Sequence, residues 1–224
     1  MSTLLLRLAA PLQSWGTLDR FGIRTTDTEP SKSGVVGLLC AAMGVPRGDE
    51  KTITELGQCA MGVRVDREGM QLRDYHTAGG GKFAGKPHRV YDAKLRRPEH
   101  TVPTERFYLA DANFLVAVQG NAQLLERARD ALRSPVWPIF LGRKGCPPAG
   151  PVLVSLEGAP VGECLRGWVR DDDAADGPLR LIVESGPEGR PRDDVPISFE
   201  PRRFGRRYTE IAWTDPPRAR RAAS

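Results

Sequence analysis

The sequence has no long apolar run, few aromatic residues and only four cysteines. No segment approaches the roughly 20 apolar residues that a membrane-spanning helix requires, so no membrane association is expected. The N-terminal residues alternate as a β-strand does and lack the basic leader and cleavage site of a signal peptide. The cysteines are scattered and form no C-x-x-C pair, which predicts buried, reduced thiols in a cytoplasmic protein.

Groups that would hold a metal or a nucleotide are equally scarce. The three adjacent aspartates at 171–173 have no companion cluster of ligands, so we expect no metal and no cofactor. The segment SKSG at 31–34 lacks the preceding glycine that a P-loop places before its lysine. Nucleotide hydrolysis of the P-loop type is therefore excluded.

Positive charge is concentrated in two zones. Residues 82–106 contain seven Lys or Arg against three Asp or Glu, and residues 201–221 contain seven Arg against two acidic residues. The whole chain has a formal net charge of only +5, so the remainder is slightly acidic. This distribution favours a polyanion-binding surface, although a solvated loop and a solvated tail would show the same pattern.

Residues 30–44 predict a helix around which the chain is organised. Apolar residues recur along it at helical spacing, Ser31 and Ser33 are favourable N-cap residues, and Gly44 suits the position after the last turn. The two hydroxyl groups, Lys32 and the free backbone N–H groups of the first turn make this N-terminus a candidate phosphate site. A capped core helix is the alternative interpretation.

The order of the remaining elements predicts the fold class. Segments 59–65 and 70–76 are expected to form a β-hairpin closed at Gly69. Strands and helices alternate as in an α+β, ferredoxin-like (RRM-like) fold in residues 1–156, with a small C-terminal β element in residues 157–224. Two helices on one face of the sheet would leave the opposite face open, as in RNA-recognition domains.

Residues 77–104 depart from this pattern and predict an inserted arm or β-hairpin. Their basic and aromatic residues are interleaved, as contact with a nucleic-acid backbone and stacking on bases require. Trp15 is a candidate for base stacking or for the core, and the glycine-bounded turn at 141–145 is suited to contact a phosphate. The candidate RNA-binding residues are Gln13, Trp15, Arg24, Ser31, Lys32, Ser33, His76, Lys82, Lys86, Arg89, Arg96, Arg97, Arg106, Arg143 and Lys144.

Six segments together carry a family resemblance. They are LLLRLAAPLQSWG (4–16), PSKSGVVGLL (30–39), RDYH (73–76), TERFYLADA (104–112), LGRK (141–144) and DVPISF (194–199). They are similar to the CasD-type subunits of type I-E CRISPR Cascade complexes, in the RAMP superfamily. The resemblance implies a ferredoxin-like RAMP fold in which residues 77–104 form a thumb hairpin.

The resemblance also implies a function and a set of partners. It implies a subunit that caps the 5′ handle of the crRNA and contacts the neighbouring Cascade backbone subunit through the thumb. The large PAM-reading subunit would lie nearby, and target DNA would be an indirect partner. The implied subunit is not an enzyme, because a different subunit cleaves the precursor RNA in type I-E systems.

Two alternatives stay open. His76, His88 and His100 bracket the arm, so a metal-independent endoribonuclease that processes precursor crRNA is the second hypothesis. A protein-assembly module without direct RNA contact, whose basic zones meet acidic partner surfaces, is the third.

Overall fold

The computed structural model describes residues 1–16, 19–20, 22–78, 82–83, 86–87, 102–170 and 176–218. In chain order the elements are β1 (Ser2–Ala9), β2 (Leu12–Gln13), β3 (Asp19–Arg20), β4 (Ile23–Arg24), α1 (Lys32–Met43), α2 (Glu50–Gly57), β5 (Ala60–Arg67), β6 (Met70–Ala78), β7 (Lys82–Phe83), β8 (Lys86–Pro87), β9 (Val102–Ala110), β10 (Asn113–Gly120), α3 (Ala122–Arg133), β11 (Leu153–Glu157), α4 (Val161–Gly167), β12 (Leu179–Ser185), β13 (Arg190–Phe199) and β14 (Arg202–Thr214). The predicted mixed α+β class is confirmed.

The main body is a seven-stranded antiparallel sheet in the order β11-β1-β10-β5-β12-β14-β13. Its first four strands, with α1 between β1 and β5 and α3 between β10 and β11, follow a β-α-β-β-α-β order. The C-terminal strands are not separate from this body, because β12 pairs with β5. The boundary expected near residue 156 therefore lies within one continuous sheet.

The predicted hairpin between 59–65 and 70–76 is wrong. The two segments belong to different sheets, because β5 pairs with β10 whereas β6 pairs with β9. The two strands β5–β6 and the two strands β9–β10 therefore form one long antiparallel ribbon, which changes sheet at its middle. The turn signals at 66–69 and 111–112 mark this change of sheet on the two sides of the ribbon.

The change of sheet depends on a close approach of the two ribbon strands. Gly69 has φ +74°, and a Cβ there would lie 2.7 Å from the Ala110 carbonyl oxygen. Asp111 opposite has φ 61°, the only positive φ among the described non-glycine residues. The Arg67 guanidinium fixes Asp111, donating to its backbone oxygen at 2.6 Å and to its carboxylate at 2.9 Å.

A second sheet forms where the ribbon leaves the main body. Its strands follow the order β2-β9-β4-β3, with β6 on β9 as well. β6 and β9 pair over nine residues each, from Met70 opposite Ala110 to Ala78 opposite Val102. The arm is inserted between these two strands, and within it β7 pairs with β8.

Helices pack on both faces of the main sheet, in contrast to the expected open face. The larger core lies between the sheet and α1, α2 and α3, and contains buried residues such as Leu39, Phe114 and Leu125. On the opposite face α4 packs Cys164 and Leu165 against β1, β10 and β12. The sequence around α4 is rich in glycine, aspartate and proline, a composition that is typical of a loop. The central strands of this face are therefore closed to an RNA ligand.

The four cysteines are free and buried, as predicted. Burial raises the pKa of all four thiols, that of Cys40 to about 12, so none of them is a ready nucleophile. Across the described residues, no helix has the length and apolar character needed to cross a bilayer.

The close approach at Gly69 makes a testable prediction. Gly69→Ala should lower the free energy of unfolding by more than the roughly 1–2 kcal/mol that a positive φ costs a non-glycine residue, because its Cβ also collides with the opposite strand. Gly177→Ala is the matched control, because Gly177 has φ +83° and no atom of the described residues lies within 4 Å of its Cβ position. Equal losses for the two variants in chemical denaturation would show that the ribbon tolerates the collision.

Candidate nucleic-acid interface

The helix predicted at 30–44 is α1, and its caps are those expected. The Ser31 hydroxyl accepts a hydrogen bond from the Gly34 N–H at 3.3 Å, and Gly44 ends the helix with φ 69°. Ser33 is half-buried in the first turn. The prediction of a capped core helix is confirmed, and the question is whether its N-terminus is open to a phosphate.

The N-terminus of α1 already holds an anion from the chain itself. The Asp194 carboxylate accepts from the Lys32 N–H at 2.8 Å and is 1% exposed. The Lys32 ammonium is also buried and donates to Glu184 at 2.8 Å. Lys32, a predicted RNA contact, is therefore placed in an internal ion pair, because an unpaired buried ammonium would be very costly.

Arg207 completes this cluster. Its guanidinium donates to both Asp194 oxygens, at 2.7 and 2.9 Å, and to Glu184 at 3.3 Å. Burial by itself would raise the pKa of Asp194, but the hydrogen bonds and charge of Arg207, with the Lys32 N–H and the charge of Arg192, outweigh it. The pKa of Asp194 therefore lies below its usual value, and the carboxylate stays charged at neutral pH.

Two further predicted contacts lie in the core. Trp15 is 1% exposed and Gln13 is fully buried. The Trp15 indole N–H donates to the Gln13 side-chain oxygen at 3.0 Å, and the Gln13 amide donates to the backbone oxygens of Leu8 and Ala112. Both side chains are buried and hydrogen-bonded within the protein. Trp15 is therefore a core residue in this conformation and is not placed to stack on a base.

Other predicted residues meet on one face of the second sheet. Arg106 lies in register with Arg24 on β4 and with Asp74 on β6, so the three side chains share a face. His76 follows on the same face, two residues after Asp74. Arg24 is exposed, Arg106 is half-buried, and His76 is half-buried.

Arg143 reaches the same face from the turn at 141–145. Its guanidinium carbon lies 4.9 Å from the centroid of the Tyr108 ring, a cation–π contact. It also donates to the backbone oxygens of Phe107 and Arg24, at 3.1 and 2.9 Å. We call the surface formed by Arg24, Asp74, His76, Arg106, Tyr108 and Arg143 the arginine face. It carries three arginines against one carboxylate.

A groove runs along α1 on the other side of the same turn. Its volume is about 590 Å³. The floor is formed by small residues of α1, and the walls by the segment 137–144 and the β13–β14 ribbon. The lining includes four of the predicted RNA-binding residues: Ser31, Ser33, Lys144 and Trp15. It also includes residues that the sequence did not single out: Arg47, Trp137, Phe140, Phe199, Arg202 and Phe204. Only Arg202 had a sequence signal, since it belongs to the C-terminal basic zone. We call this cavity the α1 groove.

The predicted contacts of the arm are only partly described. Lys82 and Lys86 lie in the paired strands β7 and β8. Arg89, Arg96 and Arg97 lie outside the described residues, as do His88, His100 and the aspartates at 171–173. Within the described ranges, no three His, Cys, Asp or Glu side chains come together as a metal site would require.

These features define an α+β protein with a large antiparallel sheet, an arginine-lined second sheet and a cation-bordered groove. The sequence matches the family profile described as CRISPR-associated protein (Cas_Cas5) over residues 3–210, and the chain belongs to that family. The family resemblance seen in the sequence is thus confirmed.

Individual relatives agree with this assignment. The "CRISPR system Cascade subunit CasD" of Escherichia coli (strain K12) is 32% identical over 165 residues, which cover 68% of this chain and 70% of that protein. A chain of a solved "CRISPR RNA-guided surveillance complex" superposes with a TM-score of 0.78 at 37% identity, covering 96% of this chain and 91% of that one. A "Crystal structure of Cas protein" gives a TM-score of 0.76 at 36% identity, covering 97% and 98% of the two chains.

The buried cluster at α1 predicts a pH-dependent stability. Asp194→Asn should lower the free energy of unfolding at neutral pH by about 3–5 kcal/mol, as expected when one partner of a buried ion pair is removed. Because the folded-state pKa of Asp194 is depressed, its stabilisation is complete above the unfolded value of about 3.9 and is lost as the pH falls through the folded value. The unmodified protein should therefore lose stability more steeply than the variant below about pH 4.

Asp193→Asn is the matched control. Asp193 is exposed and pairs with exposed Arg206, so its loss should matter much less. Denaturation at a series of pH values compares the three proteins. Parallel pH profiles for the unmodified protein and Asp194→Asn would contradict the role of Asp194.

Proposed function

We propose that the protein is a non-catalytic, RNA-binding subunit of a CRISPR surveillance complex of the Cascade type, and that it caps the 5′ handle of the crRNA. Family membership supports the general assignment, and two relatives carry names that refer to Cascade and to an RNA-guided complex. The observation that carries the RNA-binding part is the arginine face at the root of the arm.

The chemistry of the arginine face suits a nucleic-acid backbone. Guanidinium groups bind phosphate bidentately, and Arg24 is exposed for such a contact. Arg143 is held over Tyr108 by its contacts to backbone oxygens, so its charge is already positioned when an anion arrives. Only Asp74 opposes these charges among the described residues of the face.

The fold supports a RAMP subunit with a thumb. The strand order β11-β1-β10-β5, with two connecting helices, is the order of a ferredoxin-like β-α-β-β-α-β unit. In that unit β5 and β10 are the two strands joined by a hairpin, and here their connection is extended through β6 and β9 into the arm. This arrangement supports the interpretation of residues 77–104 as a thumb whose first strand, β6, carries part of the arginine face.

The proposed partners follow from this arrangement. The thumb contacts the neighbouring Cascade backbone subunit, the large PAM-reading subunit lies nearby, and target DNA is reached only through the guide. The complex works in the cytoplasm. The arginine face makes an anionic strand such as the crRNA the ligand that the surface chemistry favours.

Removal of the arginine face tests direct RNA binding. The double variant Arg24→Ala, Arg106→Ala should weaken binding to repeat-derived guide RNA and reduce the slope of log affinity against log salt by about 1.4, the value for two phosphate contacts on a single strand. Filter binding across a salt series measures both effects.

The matched control for this test lies on α3. Arg127→Ala, Arg133→Ala removes the same charge from the exposed side of α3, which is not part of the arginine face, and it should leave the slope unchanged. An equal loss in both double variants would indicate non-specific attraction. No loss in either would favour the assembly module without RNA contact.

Incubation with precursor RNA tests the absence of catalysis. The purified protein should leave repeat RNA intact in the presence of EDTA, because a subunit that only caps the RNA supplies no general base or acid to the ribose-phosphate backbone. Denaturing gels detect cleavage directly. Metal-independent cutting that disappears in His76→Ala would instead establish the endoribonuclease.

A further inference from the structure

Packing does not explain why glycine occupies position 37 on the floor of the α1 groove. Gly37 lies in the middle of α1, where glycine costs roughly 1 kcal/mol relative to alanine. Among the described residues, a Cβ at this position would meet only the Phe199 ring, at an ordinary contact distance of 3.8 Å. Gly34 differs, because a Cβ there would lie 2.9 Å from the Trp15 ring. Alanine would therefore fit at Gly37 and strengthen the helix, but it would make the groove shallower.

The walls of the groove expose aromatic rings. Trp137 is 45% exposed and Phe204 is 41% exposed, although each is a residue type that cores normally bury. The Trp137 wall is anchored to α1, because the Val136 and Trp137 N–H groups donate to the Ala42 and Ala41 oxygens at 2.9 and 3.1 Å. An anchored, exposed ring above a floor of small residues is a ready stacking platform.

The rim of the groove carries cations without acidic partners. Among the described residues, no carboxylate lies within ion-pair distance of Arg47, Lys144 or Arg202. This differs from the neighbouring arginines of β14, since Arg203 pairs with Glu50 and Arg206 with Asp193. Asp193 also lines the groove, but it is paired with Arg206. The groove thus combines aromatic walls with a surplus of positive charge.

We propose that the α1 groove holds an unpaired base of the guide RNA, stacked on its aromatic walls, while Arg47, Lys144 and Arg202 contact the flanking phosphates. This inference rests on the proposed RNA-binding function and adds a second contact surface to the arginine face. The charge of the rim decides between occupants, because an anionic strand with exposed bases matches both the cations and the rings. An apolar protein segment would match only the rings.

The groove also adjoins the arginine face. Lys144 lines the groove, and the preceding residue, Arg143, lies on the arginine face. A single strand can therefore leave one surface and enter the other at the turn 141–145. One RNA segment can therefore contact both surfaces at once.

Paired variants in the full chain test the proposal with repeat-derived guide RNA as the probe. Phe204→Ala and Arg202→Ala should each weaken RNA binding, the former by roughly 5- to 150-fold, the range for loss of one stacked base. Trp213→Ala and Arg203→Ala are the controls, because both residues are exposed on β14 but do not line the groove. The controls should bind as the unmodified protein does.

Gly37→Leu gives an independent readout. It should fill the groove and weaken RNA binding, whereas Gly37→Ala should raise the midpoint of thermal unfolding and reduce binding less. Ultraviolet crosslinking of the assembled complex should attach RNA to peptides that contain Trp137 or Phe204. Circular dichroism confirms that each variant is folded.

The outcomes separate this inference from the function on which it rests. If groove variants bind RNA normally while Arg24→Ala, Arg106→Ala does not, the inference is overturned and the proposed function stands. If groove variants lose a partner protein but keep RNA contact, a protein segment occupies the groove and the inference is again overturned. If every variant binds RNA as the unmodified protein does, the proposed function itself fails.

Discussion

The carboxylate of Asp194 at the N-terminus of α1 is the contact on which the arrangement of the C-terminal half depends. A helix N-terminus attracts an anion, and here the anion comes from a strand 162 residues further along the chain. Arg207 neutralises this carboxylate on the neighbouring strand, and Glu184 accepts from both Lys32 and Arg207. These alternating charges dock the β13–β14 ribbon across the start of α1.

The position of the ribbon in turn creates the α1 groove. Asp194 points inward to α1, while the adjacent Asp193 lines the groove and pairs with Arg206 on the surface. The same strand therefore contributes one buried and one exposed ion pair, as the alternation of a β-strand requires. Without the buried pair, the wall that carries Phe204 and Arg202 would have no fixed place opposite the segment that carries Trp137.

This dependence explains which parts of the site could be predicted from the sequence. The limits of α1 were predictable because periodicity, Ser31 and Gly44 are local signals. The role of Lys32 was not, because whether a cation is free or paired depends on Asp194 and Glu184, which are remote in sequence. A count of positive charge treats Arg202 and Arg207 alike. Arg207 is buried and paired, whereas Arg202 is exposed and has no acidic partner among the residues that the structure describes.

The fold shows the same division between local and distant information. The positions of the strands were predictable from the alternation of apolar and polar residues, but the pairing of β5 was not. The sequence of a turn such as that at Gly69 is the same whether the next strand pairs with the preceding one or joins another sheet. The steric evidence is long-range: the Gly69 Cβ position is blocked by Ala110 on the other side of the ribbon. Likewise α4 was missed, because its seven residues bury only Cys164 and Leu165 and give too short a pattern.

The turn at 141–145 shows how a weak local motif acquires a definite role from its surroundings. Gly142 has φ +90°, and a Cβ there would overlap the Ser14 carbonyl oxygen at 1.6 Å, so the turn is pressed against the segment that buries Trp15. The Ser14 N–H also donates to the Leu141 oxygen at 3.1 Å. Because the turn is fixed against Ser14 in this way, Arg143 lies against the second sheet and Lys144 lines the groove. Because Ser14 fixes this turn, the two cationic surfaces keep a fixed relation to each other, as the proposed binding of one RNA strand to both surfaces requires.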